Sequence, residues 1–106
     1  MNNIFENLFQ VIEDRKLKNP ADSYVSSLMH KGSGKINEKI REETEEVCIA
    51  ALEEDKDHLV YEICDLLFHT FVLAGFKNIT LSDIEKELSR RYGTSGHAEK
   101  ASRSSK

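Results

Sequence analysis

Apolar side chains occupy nearly every side of one stretch of the chain, residues 59 to 76, with the sequence LVYEICDLLFHTFVLAGF. A surface helix keeps one polar face, whereas a helix that is apolar all round is buried by its neighbours. We therefore expect this stretch to form a central, buried helix. One chain of 106 residues has little other surface with which to cover it, so we also expect two copies to associate as a homodimer.

The rest of the chain predicts further helices, and no segment reads convincingly as a strand. Pro20 ends the first helix because it disfavours helical geometry in the residue before it. The glycines of KGSGK, residues 31 to 35, predict a loop, and EEDKD, residues 53 to 57, predicts a polar turn. The predicted fold is all-α, a small bundle of four to five helices completed by dimerisation. The predicted helices span 2–17, 21–30, 35–53, 57–74 and, after a cap at Thr80, up to 92.

The apolar period stops at Gly93, and the last residues are basic and rich in serine. We therefore divide the chain into a helical domain, residues 1–92, and a C-terminal tail, residues 93–106. By its composition, the tail is expected to be disordered on its own.

The overall charge and the cysteines narrow the class of protein. A formal net charge of −4 argues against nucleic acid as a partner. Cys48 and Cys64 lie in apolar helical patterns without metal-binding or disulfide spacing, so we predict buried, reduced thiols in a cytoplasmic protein. The apolar stretches are too short and too interrupted to predict a membrane span, and no secretory leader is visible.

A cluster of glutamates lies in the segment REETEEVCIAA, which falls within one predicted helix. Advancing about 100° per residue divides these glutamates between two sides of the helix. Glu43 lies within the apolar stripe, Glu46 lies at its edge, and Glu42 lies a step further round. Glu45 points to the opposite side and is expected to be solvated. The stripe predicted to face the core consists of Ile36, Ile40, Val47 and Ala51, with Ala50 at its flank.

The central apolar helix carries polar side chains on one narrow face: Glu62, Asp65 and His69. Burying an unpaired carboxylate costs on the order of several kcal/mol, so such groups are normally paired or bound to metal. The short EEDKD turn makes the two helices antiparallel neighbours, and Glu43 and Glu46 can then converge with Glu62 and Asp65. We predict an oxygen-only site for Mg²⁺, with Mn²⁺ as a possible substitute, and a di- or triphosphate ligand.

Other interpretations of the acidic residues remain open at this point. The glutamates can form a solvated helix face, with Glu62 and Asp65 in structural ion pairs to Lys35 or Lys39. A di-iron carboxylate bundle is disfavoured, because its Glu-x-x-His motif is missing from both carboxylate pairs. His69 is predicted to be a hydrogen-bonded core histidine rather than a ligand.

The segments EETEEV and EICD together resemble the EExxE…ExxD signature of the MazG-like all-α nucleotide pyrophosphohydrolases. Within that group, the segments SY, GKI, EEVCIAA, YEICDLLFH and SGHAEKASR are similar to the phosphoribosyl-ATP pyrophosphohydrolase family. The resemblance covers most of the chain. It implies Mg²⁺-dependent hydrolysis of phosphoribosyl-ATP to phosphoribosyl-AMP and pyrophosphate, the second step of histidine biosynthesis.

The resemblance also implies roles for individual residues. Glu43, Glu46, Glu62 and Asp65 match the metal-binding acids. Glu42, Glu43 and Glu46 are the candidates for the catalytic carboxylate that takes a proton from water as a general base. Substrate contacts are implied for Ser23, Tyr24, Lys31, Lys35, Lys39 and, in a tail that folds over the substrate, Lys100 and Arg103.

Three functional alternatives follow. Besides the implied reaction, a different MazG-type enzyme would act on other nucleoside triphosphates with the same acidic face. A non-catalytic helical interaction module would use that face only for contact with a protein.

Ser23 and Tyr24 also have a structural interpretation that competes with substrate binding: a helix cap and a core tyrosine.

Overall fold

The computed structural model describes residues 3–92, which form five α-helices and contain no strand. This confirms the predicted all-α class and the predicted number of helices. The helices are α1 (Ile4–Lys16), α2 (Tyr24–Lys31), α3 (Ser33–Ala50), α4 (Lys56–Phe76) and α5 (Leu81–Tyr92).

The junction between α2 and α3 differs from the predicted KGSGK loop. Helix α2 continues to Lys31 and α3 begins at Ser33, so Gly32 alone separates them. Gly32 has a φ of +94°, in the region that favours glycine, and its N–H donates to the Leu28 carbonyl. One glycine in this conformation redirects the chain, and a longer loop is not needed.

The core forms where α4 meets the helices around it. Helices α3 and α4 share the largest helix–helix contact, and α4 also packs on α1. Gly75 marks the closest approach, since a Cβ atom added there would lie 2.9 Å from Cγ2 of Ile12. The most deeply buried large side chains come from four helices: Ile12, Val25, Leu28, Ile36 and Val72.

The prediction that α4 is buried on all sides holds only for part of the helix within one chain. Its buried residues lie mainly in the C-terminal half, whereas Val60, Ile63 and Leu67 are exposed. The predicted burial of Cys48 and Cys64 is wrong, because both thiols lie on faces of α3 and α4 that residues 3–92 leave uncovered.

One residue of the predicted α3 stripe is also misplaced. Ala51 lies beyond the end of α3 and is exposed, while its neighbour Ala50 is fully buried. Ile36 is fully buried and Ile40 and Val47 are half-buried, as the periodicity predicted. Ala51 still has helical backbone angles and donates its N–H to the Val47 carbonyl, so its exposure means that no neighbour among residues 3–92 covers this end of the helix.

Helix α4 has 21 residues and a mean hydropathy of 1.6 over its most apolar window, values that a membrane-crossing helix can also have. Length alone therefore does not exclude a membrane span, in contrast to the sequence-based expectation. A core helix also has this composition. In the structure α4 packs on α3 and α1 and carries the buried Glu62 and His69, as a core helix does.

Candidate active site

The turn between α3 and α4 brings the predicted acidic residues together. It runs from Ala51 to Asp55, and the Asp55 side chain caps α4 by accepting a hydrogen bond from the His58 N–H at 3.1 Å. With so short a connection, the two helices lie antiparallel and in extensive contact. The C-terminal half of α3 therefore faces the N-terminal half of α4.

Three carboxylates converge across this helix pair. Glu43 of α3 and Glu62 and Asp65 of α4 each place one oxygen within 4.8 Å of the others. Glu62 is buried, with 7% of its surface exposed, and Glu43 and Asp65 are half-buried. The angular count therefore placed Glu43 correctly on the inward side of α3.

The other predicted acids lie around the same cleft at greater exposure. Glu42 and Glu46 are both exposed and line an open cleft of about 420 Å³ together with the carboxylate cluster, Lys39 and Tyr61. Glu46 is outside the group of three converging carboxylates. Glu45 is exposed and does not line this cleft, as its angle on the helix predicts.

The cleft gives its glutamates opposite electrostatic environments. Burial raises the pKa of the Glu43 carboxyl above its usual value of 4.5, and the negative charges of Asp65 and Glu62 raise it further. The hydrogen bond from Lys39 to Glu42, 2.9 Å long, lowers the pKa of Glu42. His69 and Lys39 offset these effects only in part, so a cation in the cleft would stabilise the charged form of Glu43.

The cluster fits a hard divalent cation. Its donors are carboxylate oxygens, which Mg²⁺ and Mn²⁺ prefer. Neighbouring ligands of Mg²⁺ lie about 3 Å apart and opposite ligands about 4.2 Å apart, so oxygens within 4.8 Å of one another would move closer together to bind one ion. Within residues 3–92, the one basic group near the Glu62 carboxylate is Nε2 of His58 at 3.8 Å, and this contact is ionic only when the imidazole is protonated. The buried carboxylate is therefore poorly compensated.

The structure does not contain the alternative ion pairs of Glu62 and Asp65 with Lys35 or Lys39 among residues 3–92. Lys39 pairs with Glu42 at 2.9 Å and Lys35 pairs with Glu38 at 3.4 Å, both within α3. Neither lysine forms an ion pair with Glu62 or Asp65 in the described part of the chain. The interpretation that these two acids are neutralised by Lys35 or Lys39 is therefore wrong.

The predicted substrate-binding residues are distributed unevenly. Lys39 lines the cleft, whereas Lys31 ends α2 as an exposed residue. Ser23 is the N-cap of α2 and accepts a hydrogen bond from the Ser26 N–H at 3.2 Å, in agreement with the cap interpretation. Lys100 and Arg103 lie outside the described residues.

Tyr24 and His69 form a contact that the sequence did not indicate. The alternative of a core tyrosine is wrong, because 51% of the Tyr24 surface is exposed. The Tyr24 hydroxyl lies 2.8 Å from Nε2 of His69, and Nδ1 of His69 lies 2.8 Å from the Asp65 carbonyl oxygen. His69 is buried and fully hydrogen-bonded, as expected of a core histidine. The two rings are 45 residues apart in sequence, and no local pattern links them.

Together, the fold and the cleft define a class: small all-α bundles in which antiparallel helices present a carboxylate cluster suited to a hard divalent cation. Comparison with known families is more specific. The model of the family described as phosphoribosyl-ATP pyrophosphohydrolase matches residues 5–92. The chain belongs to this family.

Relatives named phosphoribosyl-ATP pyrophosphatase are similar to the chain over most of its length. The protein from Geobacter sulfurreducens is 52% identical over 100 residues, which cover 94% of this chain and 93% of the relative. The protein from Ruthia magnifica is 50% identical over 103 residues, covering 97% and 98%. The protein from Clostridium acetobutylicum is 52% identical over 91 residues, covering 85% and 82%.

Proposed function

We propose that this protein hydrolyses phosphoribosyl-ATP to phosphoribosyl-AMP and pyrophosphate, the second step of histidine biosynthesis. The observation that carries this conclusion is the family match over residues 5–92, which include the whole carboxylate cluster. Its relatives bear the name of this activity and align over nearly their full length.

The carboxylate cluster is proposed as the Mg²⁺ site, with Mn²⁺ as a substitute. Glu43, Glu62 and Asp65 would hold the ion, and Glu46 would approach it from the open side of the cleft. When bound, such an ion supplies charge neutralisation for the phosphate chain and makes a coordinated water more acidic. The convergence of three oxygens and the raised pKa of Glu43 support this role.

The residue that takes a proton from the attacking water is proposed to be Glu43 or Glu46. Glu42 is the weakest of the three candidates, because its hydrogen bond with Lys39 lowers its pKa and makes it a poorer base. Glu46 is exposed within the cleft, where a water molecule has free access. The raised pKa of Glu43 favours it as a base only while it is not bound to the ion, because a bound cation makes its ligand less basic.

Lysines are proposed to hold the phosphates while the bond between the α and β phosphates breaks. Lys39 is best placed, since it already lines the cleft, and Lys35 and Lys31 extend the positive charge along α3 and α2. Such reactions depend on positioning and on charge neutralisation more than on covalent chemistry. Lys100 and Arg103 would add phosphate contacts if the tail, residues 93–106, closes over the substrate.

Dimerisation is proposed through the uncovered apolar surface of α3 and α4. The exposed apolar residues of these helices and of the turn after α3 would leave water in a dimer: Cys48, Ile49, Leu52, Val60, Ile63, Cys64 and Leu67. Val60, Ile63, Cys64 and Leu67 follow the helical period along one exposed face of α4, and exposed apolar faces of this kind mark association surfaces. A biosynthetic enzyme with reduced cysteines of this kind is proposed to work in the cytoplasm.

The experiment that tests the function is a substrate panel. Pyrophosphate release is measured with phosphoribosyl-ATP, ATP, dCTP and dUTP, each with and without Mg²⁺. We expect release from phosphoribosyl-ATP alone, and only with Mg²⁺. Release from dCTP or dUTP instead would support the other MazG-type enzyme, and no release from any substrate would support the interaction module.

A further inference from the structure

His69 is a buried polar group on α4 to which the proposed reaction gives no task. Only 5% of its surface is exposed, and it lies one helical turn beyond Asp65 of the carboxylate cluster. Its ring meets Tyr24 edge-on at 5.8 Å, and Tyr24 in turn stacks on Phe68 at 6.4 Å with an angle of 17° between the planes. The orientations of both rings are therefore held by packing as well as by hydrogen bonds.

The two hydrogen bonds of His69 determine which of its nitrogens carries the proton. A carbonyl oxygen can only accept, so Nδ1 must donate to the Asp65 carbonyl. In the neutral imidazole, Nε2 then has only a lone pair. We therefore assign the hydroxyl of Tyr24 as the donor and Nε2 of His69 as the acceptor.

The hydrogen bond to His69 leaves the Tyr24 hydroxyl able to act only as an acceptor for other groups. Its single proton is donated to His69, so the phenol oxygen presents only lone pairs to its surroundings. The charges of Lys39 and Glu43, which line the cleft, act on this hydroxyl. Half of the tyrosine surface is exposed, and Tyr24 lies beside the residues that line the cleft rather than among them. We infer that a molecule bound in the cleft reaches the phenol oxygen.

We propose that His69 is a positioning residue that makes Tyr24 a hydrogen-bond acceptor for a neutral O–H or N–H group of the nucleoside part of the substrate. A phosphate oxygen offers no proton at neutral pH, so Tyr24 contacts a ribose hydroxyl or the adenine amine instead. The inference rests on the proposed function for the identity of the substrate. It assigns Tyr24 to substrate selection rather than to phosphate binding.

Two substitutions at His69 separate its two hydrogen bonds. In His69→Asn the amide nitrogen takes the place of Nδ1 and still reaches the Asp65 carbonyl, but no acceptor remains near Tyr24. In His69→Gln the amide oxygen takes the place of Nε2 and accepts from Tyr24. Tyr24→Phe removes the phenol oxygen itself.

Steady-state pyrophosphate release from phosphoribosyl-ATP gives KM and kcat for each variant. We expect Tyr24→Phe to raise KM about tenfold, as loss of about one hydrogen bond would, with little change in kcat. His69→Asn is expected to raise KM about threefold, and His69→Gln to restore it. In the Tyr24→Phe background, His69→Asn should have no further effect. If the two losses add up in the double variant, the proposal is contradicted. If His69→Asn and His69→Gln lower kcat and the melting temperature by the same amounts, His69 has a merely structural role.

Competitive inhibitors identify the donor. Pyrophosphate, which has no nucleoside, should inhibit the wild type and Tyr24→Phe equally, and weaker inhibition of the variant would overturn the proposal. ATP should inhibit Tyr24→Phe more weakly if the donor is in its own sugar or base. It should inhibit both proteins equally if the donor is in the additional ribosyl group.

A measurement independent of activity separates this inference from the proposed function. Nitrogen-15 NMR of the His69 ring should find the proton on Nδ1 and the lone pair on Nε2 in the wild type. A proton on Nε2 would overturn the inference even in an active enzyme. A wild type that releases no pyrophosphate from phosphoribosyl-ATP contradicts the proposed function instead.

Discussion

Glu43 and Asp65 belong to different helices and lie 22 positions apart in the sequence, yet their carboxylate oxygens approach within 4.8 Å. The charge of Asp65 is, after burial, the main cause that raises the pKa of Glu43. Two like charges at this distance are unfavourable in a protein without a counter-ion. The packing of α3 against α4 holds the two carboxylates at this distance.

Mg²⁺ should stabilise the protein more at neutral pH than in acid. The pKa of Glu43 is above 4.5 in the folded protein, so its contribution to stability without metal is complete below pH 4.5 and is lost as pH rises through the raised value. The ion binds the charged form and reverses this loss. Melting temperatures with and without Mg²⁺ should therefore diverge as pH rises above 4.5. At 100 times its dissociation constant, the ion adds about 2.7 kcal/mol.

The control for this titration is Glu43→Gln, which has no charge to relieve. We expect its melting temperature without metal to exceed that of the wild type at pH 7 and to respond little to Mg²⁺. An equal response to Mg²⁺ in both proteins would contradict the assignment of Glu43 as a ligand.

Glu42→Gln should harm catalysis less than Glu46→Gln does. Glu42 is tied to Lys39 and its pKa is lowered, whereas Glu46 lies in the cleft without an ion-pair partner among residues 3–92. Loss of a general base costs about 10²- to 10⁴-fold in rate. We expect kcat to fall in that range for Glu46→Gln and at least about tenfold less for Glu42→Gln. Equal losses of pyrophosphate release in the two variants would contradict this prediction and make Glu42 as good a candidate base as Glu46.

Gly75→Ala should destabilise the protein, because its new Cβ would lie 2.9 Å from the fully buried Ile12. A branched side chain in a packed core has little room to move, and overpacking costs about 1–3 kcal/mol. Gly34→Ala is the matched control, since nothing lies within 4 Å of its added Cβ and it sits inside α3. Urea denaturation should find Gly34→Ala as stable as the wild type or about 0.5–1 kcal/mol more so. A neutral Gly75→Ala would show that α1 and α4 are packed less closely than the structure has them.

Val60→Glu should weaken self-association. Val60 is 49% exposed on the uncovered apolar surface of α4, and a glutamate there would place a charge in the proposed dimer interface. Sedimentation velocity should show a dimer for the wild type and a monomer for Val60→Glu. Leu17→Glu, at an 88% exposed position after α1, is the control and should remain dimeric. A monomeric wild type would remove the proposed interface.

Helical periodicity was sufficient to predict the five helices and the inward position of Glu43. It depends only on the angle between successive residues, which long helices keep constant. It failed at Gly32, where one backbone conformation replaced the expected loop. It also failed at Ala51, which keeps helical backbone angles but is exposed at the helix end. Both errors concern helix ends, where a single dihedral angle or a missing neighbour decides the outcome.

The features that the sequence could not predict depend on contacts between distant segments. Cys48 and Cys64 lie in apolar patterns, yet burial depends on which neighbour covers each face, and no neighbour within residues 3–92 does so. The hydrogen bond between Tyr24 and His69 requires α2 and α4 to meet at one point. Spacing along one helix carries no information about that meeting.

The central claim is that three carboxylates from two helices form the Mg²⁺ site of a phosphoribosyl-ATP pyrophosphohydrolase. Its most direct test is pyrophosphate release from phosphoribosyl-ATP by the wild type, Asp65→Asn and the solvated control Glu45→Gln, with and without Mg²⁺. We expect the wild type and Glu45→Gln to be active only with Mg²⁺, and Asp65→Asn to lose at least about 100-fold while keeping its helical circular dichroism. Full activity of Asp65→Asn, or activity of the wild type without divalent cations, would contradict the claim.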